Sequence, residues 1–503
     1  MDPQLLRKTP FSLINAILIV IMTSIFCSTS LISAYAISSN FSTSTPIKHL
    51  VIIFQENVSF DHYFATYPNT TNLAFHTSSV NGLNTELLTH NPNLVTPFMI
   101  PRSKALTCSN DHSYARLQEA YNGGLVDKFV KSNSVANDCN RNITMGYFDG
   151  STVTALWNYA QHFAMSDNYF GTTFGPSTVG AINLVSGQTH GATPAKLIGR
   201  VANGTVIGDP DPVYDDCSNG TKIVMSGSNI GTLLNSKNIT WGWFQGGFKP
   251  TGNESDGRAQ CESEHPNISG ENQTDYIPHH EPFQYYNSTS NPHHFSPSSI
   301  SMIGKTDKAN HQYDLIDFWK AAENGSLPSV SFLKAAAYQD GHSMYSDPLD
   351  EQHFIVDTIN RLQKLAQWNN TAVIITYDDS DGWYDHVMPP ILSQSNDPKH
   401  DRLVGPNGLC GHAPAGAYQD RCGYGPRLPL LIISSYAKVN YVDHGITDQS
   451  SILRFIEDNW NLGRIGNQSF DSKAGSILNM FKFGTTDHHA PGLVLDNLTG
   501  LPK

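Results

Sequence analysis

Basic residues are scarce in this chain. Its 503 residues hold 31 Lys and Arg against 44 Asp and Glu, a formal net charge of −13 that argues against a nucleic-acid binder. No two cysteines have CxxC spacing, which weighs against a structural zinc site. Internal repeats and low-complexity tracts are lacking, and with 39% hydrophobic residues the composition is not that of a disordered chain. What remains is a large globular protein of one large domain or two ordinary ones.

The N-terminus has a different character. Lys8 precedes an apolar stretch from Phe11 to about Phe26, and Ala34-Tyr35-Ala36 follows as a cleavage sequence. The pattern predicts a secretory signal over 1–36, or an uncleaved membrane anchor, since Phe11–Ala36 is long enough to span a bilayer. Either reading exports the rest, so the protein is expected to be secreted or tethered at the cell surface. A polar stalk is expected over 37–47. Cys27 lies in the leader, leaving Cys108, Cys139, Cys217, Cys261, Cys410 and Cys422. Six cysteines in an exported chain suggest disulfides, and sequential pairing is expected because each pair brackets a loop-rich stretch. Sequons at Asn69, Asn142, Asn203, Asn219, Asn238, Asn253, Asn267, Asn272, Asn287 and Asn324 predict a glycosylated surface. Asn57 also falls in a sequon, but its place after a buried strand makes it unsuited to glycosylation.

Two segments carry the chemistry, FQENVSFDHYF (54–64) and AVIITYDDSDGWYDH (372–386). Their β-branched runs without alternation read as buried parallel strands. In open α/β sheets, ligands gather beyond the carboxyl ends of strands. Glu56, Asn57, Asp378 and Asp379 therefore make a candidate metal-ligand set. Further strands are expected at 48–54, 329–333 and 427–434, and helices at 112–131, 151–163, 177–186, 348–368 and 447–460, the last capped by Thr447. Alternating strands and helices predict an α/β fold with a mainly parallel sheet. Residues 200–310, rich in Gly, Asn, Ser and Pro, read as a long insertion or cap on a 48–503 domain. The aromatic residues there, from Trp241 to Tyr286, are expected mainly as core, with an apolar entrance as the other reading.

In TTFGPSTVGAINLVSG (172–187), Gly175-Pro176 turns the chain and Ser177 stands where a helix should begin. Backbone N–H groups and the helix dipole would favour an anion there. A serine before a helix is usually only a cap; beside a carboxylate metal site it becomes a candidate nucleophile, with Thr178 second. His112, His279, His280 and His342 are candidate donors to phosphoryl oxygens and proton carriers. Asp381, Asp385 and His386 read as structural support.

ENVSFDHYF, DHSYARLQEAYNGG, FGPSTVGAINLVSGQ, YIPHHEPFQYY, GHSMYSDPLDEQ and YDDSDGWYDHV together resemble the phosphoesterase family of bacterial acid phosphatases and non-specific phospholipases C, within the alkaline-phosphatase-like superfamily. The resemblance runs from residue 49 to near Trp460. It implies an alkaline-phosphatase-like fold and one divalent metal on Glu56, Asn57, Asp378, Asp379 and Ser177. It further implies a phosphoseryl intermediate on Ser177, and His112, His279, His280 and His342 around the phosphoryl group in place of a second metal. Many relatives have Pro two residues after the nucleophile, where this chain has Val179. The Thr followed by a motif ending in Asn-Arg of the phospholipase-type relatives is absent. The expected substrate is a phosphate ester, with a phosphomonoesterase ahead of a phospholipase C. The reading from a different class is an inactive glycosylated surface binding protein.

Overall fold

The structure is a computed structural model that describes residues 42–68, 70, 93–135, 139–405, 408–484 and 490–503. The expected leader over 1–36 lies outside the described residues, as do Asn69 and residues 37–41 of the expected stalk. Among the described residues no helix is long and apolar enough to cross a membrane. Thr43–Lys503 is one compact unit.

Eight strands form the central sheet: β1 (His49–Gln55), β2 (Ala164–Ser166), β3 (Trp241–Gln245), β4 (Gln312–Asp314), β5 (Val330–Lys334), β6 (Thr371–Tyr377), β7 (Leu430–Ser434) and β8 (Tyr441–Asp443). Their order across the sheet is β4-β3-β5-β1-β6-β7-β2-β8. All run parallel except β7, which opposes both of its neighbours. The sheet is thus mixed but mostly parallel. β1, β5 and β6 are buried almost throughout, as continuous apolar runs covered on both faces require.

Six helices of eight or more residues are present among the described residues: α1 (Tyr114–Tyr121), α2 (Thr154–His162), α3 (Ser177–Ser186), α4 (Leu315–Glu323), α5 (Pro348–Leu362) and α6 (Gln449–Trp460). The helix expected over 112–131 stops at Asn122, whose φ of 43° closes α1 with a left-handed cap; a short turn of helix resumes at Phe129. α6 is capped by Asp448 rather than Thr447. The Asp448 carboxylate and the Ser451 hydroxyl make a reciprocal capping box, which fixes the cap one residue on from Thr447.

Two boundaries differ from the sequence reading. Residues 43–47 are docked on the end of α6 rather than forming a free stalk. Ser44 N–H donates to Asn459 O at 2.9 Å, Thr45 Oγ1 to Asn459 Oδ1 at 2.7 Å, and Ile47 is buried. The loop-rich 200–310 stretch supplies β3 to the sheet itself, between β4 and β5. Trp241, Trp243, Phe244, Phe248, Tyr285 and Tyr286 are all buried there, as core rather than entrance. The three disulfides join Cys108–Cys139, Cys217–Cys261 and Cys410–Cys422, the sequential pairing expected. Asn267 is 5% exposed and its amide donates to Tyr345 O, which removes it from the accessible sequons.

Candidate metal and nucleophile centre

β1 and β6 pair in register, Gln55 opposite Tyr377, so the residues that follow each strand emerge side by side. Glu56, Asn57, Asp378 and Asp379 are all at most 4% exposed. Asn57 has φ 62°, a left-handed conformation that asparagine tolerates better than most residues, and its N–H donates to Asp378 Oδ1 at 2.7 Å. α3 lies against this strand end. A Cβ on Gly180 would stand 2.1 Å from Asp378 O, so glycine is what permits the approach. Gly175, at φ 142°, likewise makes room for Val179.

Ser177 is the first residue of α3, and Pro176 holds the cap position without any side-chain cap bond. The Ser177 hydroxyl is therefore not spent on capping. Its Oγ lies 3.2 Å from Asn57 Oδ1 and 3.3 Å from Asp379 Oδ2. Thr178 is fully buried one position on. The helix N-terminus is not wholly open to an anion, as expected from sequence, because Asp209 accepts the Thr178 N–H at 2.9 Å.

The carboxylates share a design: one oxygen is fixed by a protein donor and the other is left for the centre. Asp378 Oδ1 accepts the N–H groups of Asn57 and Asp379, at 2.7 and 2.6 Å. Asp379 Oδ1 accepts Asp381 N–H at 2.6 Å. Glu56 Oε1 is 2.6 Å from Lys334 Nζ and 3.3 Å from His280 Nδ1. The amide atom of Asn57 that faces inward lies 3.2 Å from Glu56 Oε2, both Asp378 oxygens, Asp379 Oδ2 and Ser177 Oγ. Among these acceptors alone an amide nitrogen would fit that position; a cation held between them calls for the oxygen. The oxygen orientation also points the Asn57 nitrogen at His342 Nε2, 2.7 Å away, on a ring whose Nδ1 contacts Ser343 O.

The electrostatics fit the same conclusion. Burial first, and then the neighbouring Asp378, push the Glu56 carboxyl well above the usual range, with Lys334 opposing. Burial and Asp378 raise Asp379 in the same way. Buried like charges of this kind are stabilised by a bound cation. An all-oxygen set of carboxylates, amide and hydroxyl suits a hard divalent ion.

The structure divides the four predicted histidines. His280 is buried against Glu56, and burial holds its ring well below the usual imidazole range. His342 is turned onto Asn57 and stacks on Tyr345. His112 and His279 keep partly exposed rings, 17% and 28%. His279 and His280 lie on a 3-10 turn rather than an extended segment, their rings nearly perpendicular. His112 Nδ1 is held by Asn110 O at 2.8 Å and Asp381 Oδ1 at 3.0 Å, leaving Nε2 as its available nitrogen. Asp381 thus acts through His112. Asp385, Asp61 and His386 form a buried ion network around Arg427.

Sequence reasoning missed Lys334, Asp340 and Arg427. Lys334 ends β5, the third apolar strand to finish on a charged residue beside the centre, so the rule that found Glu56 and Asp378 also points to it. Asp340 lies 3.6 Å from Lys334 Nζ. Arg427 gave no signal, because its partners Asp61 and Asp385 are distant in sequence.

Fold and centre together give an α/β protein whose strand ends gather buried acids, an amide and a hydroxyl, bordered by imidazoles. The chain belongs to the Phosphoesterase family, which residues 47–463 match. It is 25% identical over 460 residues to a non-hemolytic phospholipase C of Burkholderia pseudomallei, covering 85% of this chain and 57% of that one. It is also 25% identical over 485 residues to phospholipase C B of Mycobacterium tuberculosis, covering 91% and 82%. Non-specific phospholipase C6 of Arabidopsis thaliana is 34% identical over 133 residues, 25% and 23% of the two chains. The chain thus spans little more than half the length of the Burkholderia protein. A solved alkaline phosphatase superfamily protein of Vibrio parahaemolyticus overlays with a TM-score of 0.32 at 11% identity, over 84% of this chain and 71% of that one.

Proposed function

We propose that the protein hydrolyses phosphoric esters through a covalent phosphoserine on Ser177. One divalent cation would be held by Glu56, Asn57, Asp378, Asp379 and the Ser177 oxygen. The observation that carries this reading is the Ser177 hydroxyl, free of capping duty and turned onto the inner oxygens of Asn57 and Asp379. When bound, the cation supplies charge neutralisation and lowers the pKa of an adjacent hydroxyl.

Ser177 Oγ attacks phosphorus, the Oγ–P bond forming as the bond to the ester oxygen breaks. The hydroxyl proton has Asp379 Oδ2 as its acceptor. The departing alcohol oxygen takes a proton from the imidazole set, in which His112 and His279 are the exposed members. Water then cleaves the Oγ–P bond, releasing phosphate or a phosphomonoester and restoring the serine. His280 and His342 are positioning residues in this scheme, acting through Glu56 and Asn57.

Ser177 in its GPST context supports an acid-phosphatase-like monoesterase as the first reading. The phospholipase C relatives favour a diesterase as the second reading. The 1–36 leader, the three disulfides and the sequons support an exported protein. Hydrolysis of p-nitrophenyl phosphate and of p-nitrophenylphosphorylcholine, with divalent metals added singly, tests the proposal. Turnover in wild type and its loss in Ser177→Ala is expected, and the better substrate chooses the branch. A Ser177→Ala variant as active as wild type would refute Ser177 as the nucleophile, and a protein that cleaves neither ester and binds no divalent ion after reconstitution would favour the inactive binding scaffold.

A further inference from the structure

The segment Gly208-Asp209-Pro210-Asp211-Pro212 is held firmly on both sides of Asp209. Pro210 and Pro212 fix their own φ. Pro210 O accepts the buried Tyr285 hydroxyl at 2.5 Å, and Asp211 Oδ2 accepts the N–H groups of Gly220 and Asn219 at 2.6 and 3.1 Å. On the other side, a Cβ on Gly208 would stand 2.1 Å from Gly199 O, so the backbone is closely packed there too.

Asp209 is thereby set against the first turn of α3. Its Oδ1 takes the N–H of Thr178, the residue after Ser177, at 2.9 Å. A phosphoryl group carried on Ser177 Oγ would bring its oxygens to this same turn, where helix N–H groups ordinarily receive an anion. Asp209 is also close enough to His112 for its charge to count. Burial lowers the His112 ring, and Asp379, Asp381 and then Asp209 carry it well above the usual imidazole range. Among the described residues no Lys, Arg or His forms an ion pair with Asp209. On the proposed reading the cradle carboxylates are answered by the cation and by Lys334, whereas Asp209 has no counter-charge.

We propose that Asp209 is a specificity-determining residue that sorts substrates by the charge of the phosphoryl group. Its carboxylate spends an N–H that a phosphoryl oxygen would use, and it repels a dianion more than a monoanion. The centre then prefers phosphoryl groups with a single negative charge over monoester dianions. The proposal deepens the proposed function and rests on Ser177 being the nucleophile.

The test uses the full chain reconstituted with metal at about pH 8. There p-nitrophenyl phosphate and inorganic phosphate are dianions, while bis-p-nitrophenyl phosphate and dimethyl phosphate are monoanions. Asp209→Asn keeps an oxygen for the Thr178 N–H and removes the charge. It is expected to raise kcat/KM for the monoester relative to the diester on the order of tenfold, as loss of one nearby, partly screened charge implies. Asp209→Glu, which keeps the charge, should leave that ratio near wild type. Titration calorimetry in the Ser177→Ala background reads the same effect without catalysis. There Asp209→Asn should tighten inorganic phosphate by a similar factor and shift dimethyl phosphate far less. An unchanged ratio in a protein that cleaves both esters, or an unchanged phosphate affinity, overturns the proposal. So does an Asp209→Asn variant in which both activities fall together with the urea midpoint, which marks Asp209 as a helix cap alone. Turnover that survives Ser177→Ala faults the nucleophile instead, and the phosphate titration still judges Asp209.

Discussion

At the residue scale, the centre depends on charges that no solvent reaches. Lys334 neutralises Glu56 and Asp340 while all three are buried. Removing one member of such a group leaves the others unpaired, at a cost of about 3–5 kcal/mol. Lys334→Met should therefore lower the urea midpoint accordingly, and by freeing Glu56 Oε1 it should weaken metal binding by roughly 10–100-fold, read by calorimetry. Glu351 gives a pH prediction away from the centre. Burial pushes its carboxyl up to about 8, with hydrogen bonds from Tyr377 and Tyr63 opposing. The folded state keeps this proton between the ordinary carboxyl value and about pH 8, where the unfolded chain has lost it. Glu351 therefore makes stability fall as pH rises through that window. The melting temperature of Glu351→Gln, measured from pH 5 to 8, should show a flatter slope than wild type. That Glu56, Asn57, Asp378 and Asp379 meet at neighbouring strand ends was legible in the sequence, because each pair follows a β-branched apolar run. The division of labour among the histidines was not, since it depends on which ring meets Asn57 and Glu56 in space.

At the element scale, α3 is buried along its whole length and seated on the end of β6 through one glycine. Alanine ordinarily gains about 1 kcal/mol over glycine inside a helix. At Gly180 the sign should reverse, because the new methyl meets Asp378 O at 2.1 Å. Gly180→Ala is expected to destabilise by about 1–3 kcal/mol and to lower activity through the displaced Asp378, which a urea titration and the p-nitrophenyl phosphate assay would register together. The bounds of α3 could be read from Gly175-Pro176 before it and Gly187 after it. β3 could not, because its WGWFQ run sits inside a Gly- and Asn-rich stretch and its neighbours β4 and β5 come much later in the chain.

At the scale of the whole molecule, the disulfides fasten loop-rich excursions from a sheet that already holds itself together. Cys217–Cys261 closes a separation of 44 residues and Cys410–Cys422 one of 12. Loop-closure entropy alone makes the first worth about 1 kcal/mol more than the second, within the usual range of about 2–5 kcal/mol each. Paired Cys→Ala variants compared by urea unfolding should show that order. The parallel α/β architecture was legible because buried parallel strands advertise themselves by composition. The reversal of β7 was not, since its RLPLLIIS run looks no different from its neighbours.

The register of β1 on β6 also decides when the proposed cation could be taken up. Asn57 and Asp378 are 321 residues apart along the chain and meet only once the two middle strands are zipped together. A polypeptide still being synthesised, or threaded unfolded across a membrane, carries the ligands but not the cradle. On the proposed reading, metal loading would report that folding is finished, and it would take place in whichever compartment the last half of the chain reaches before it folds.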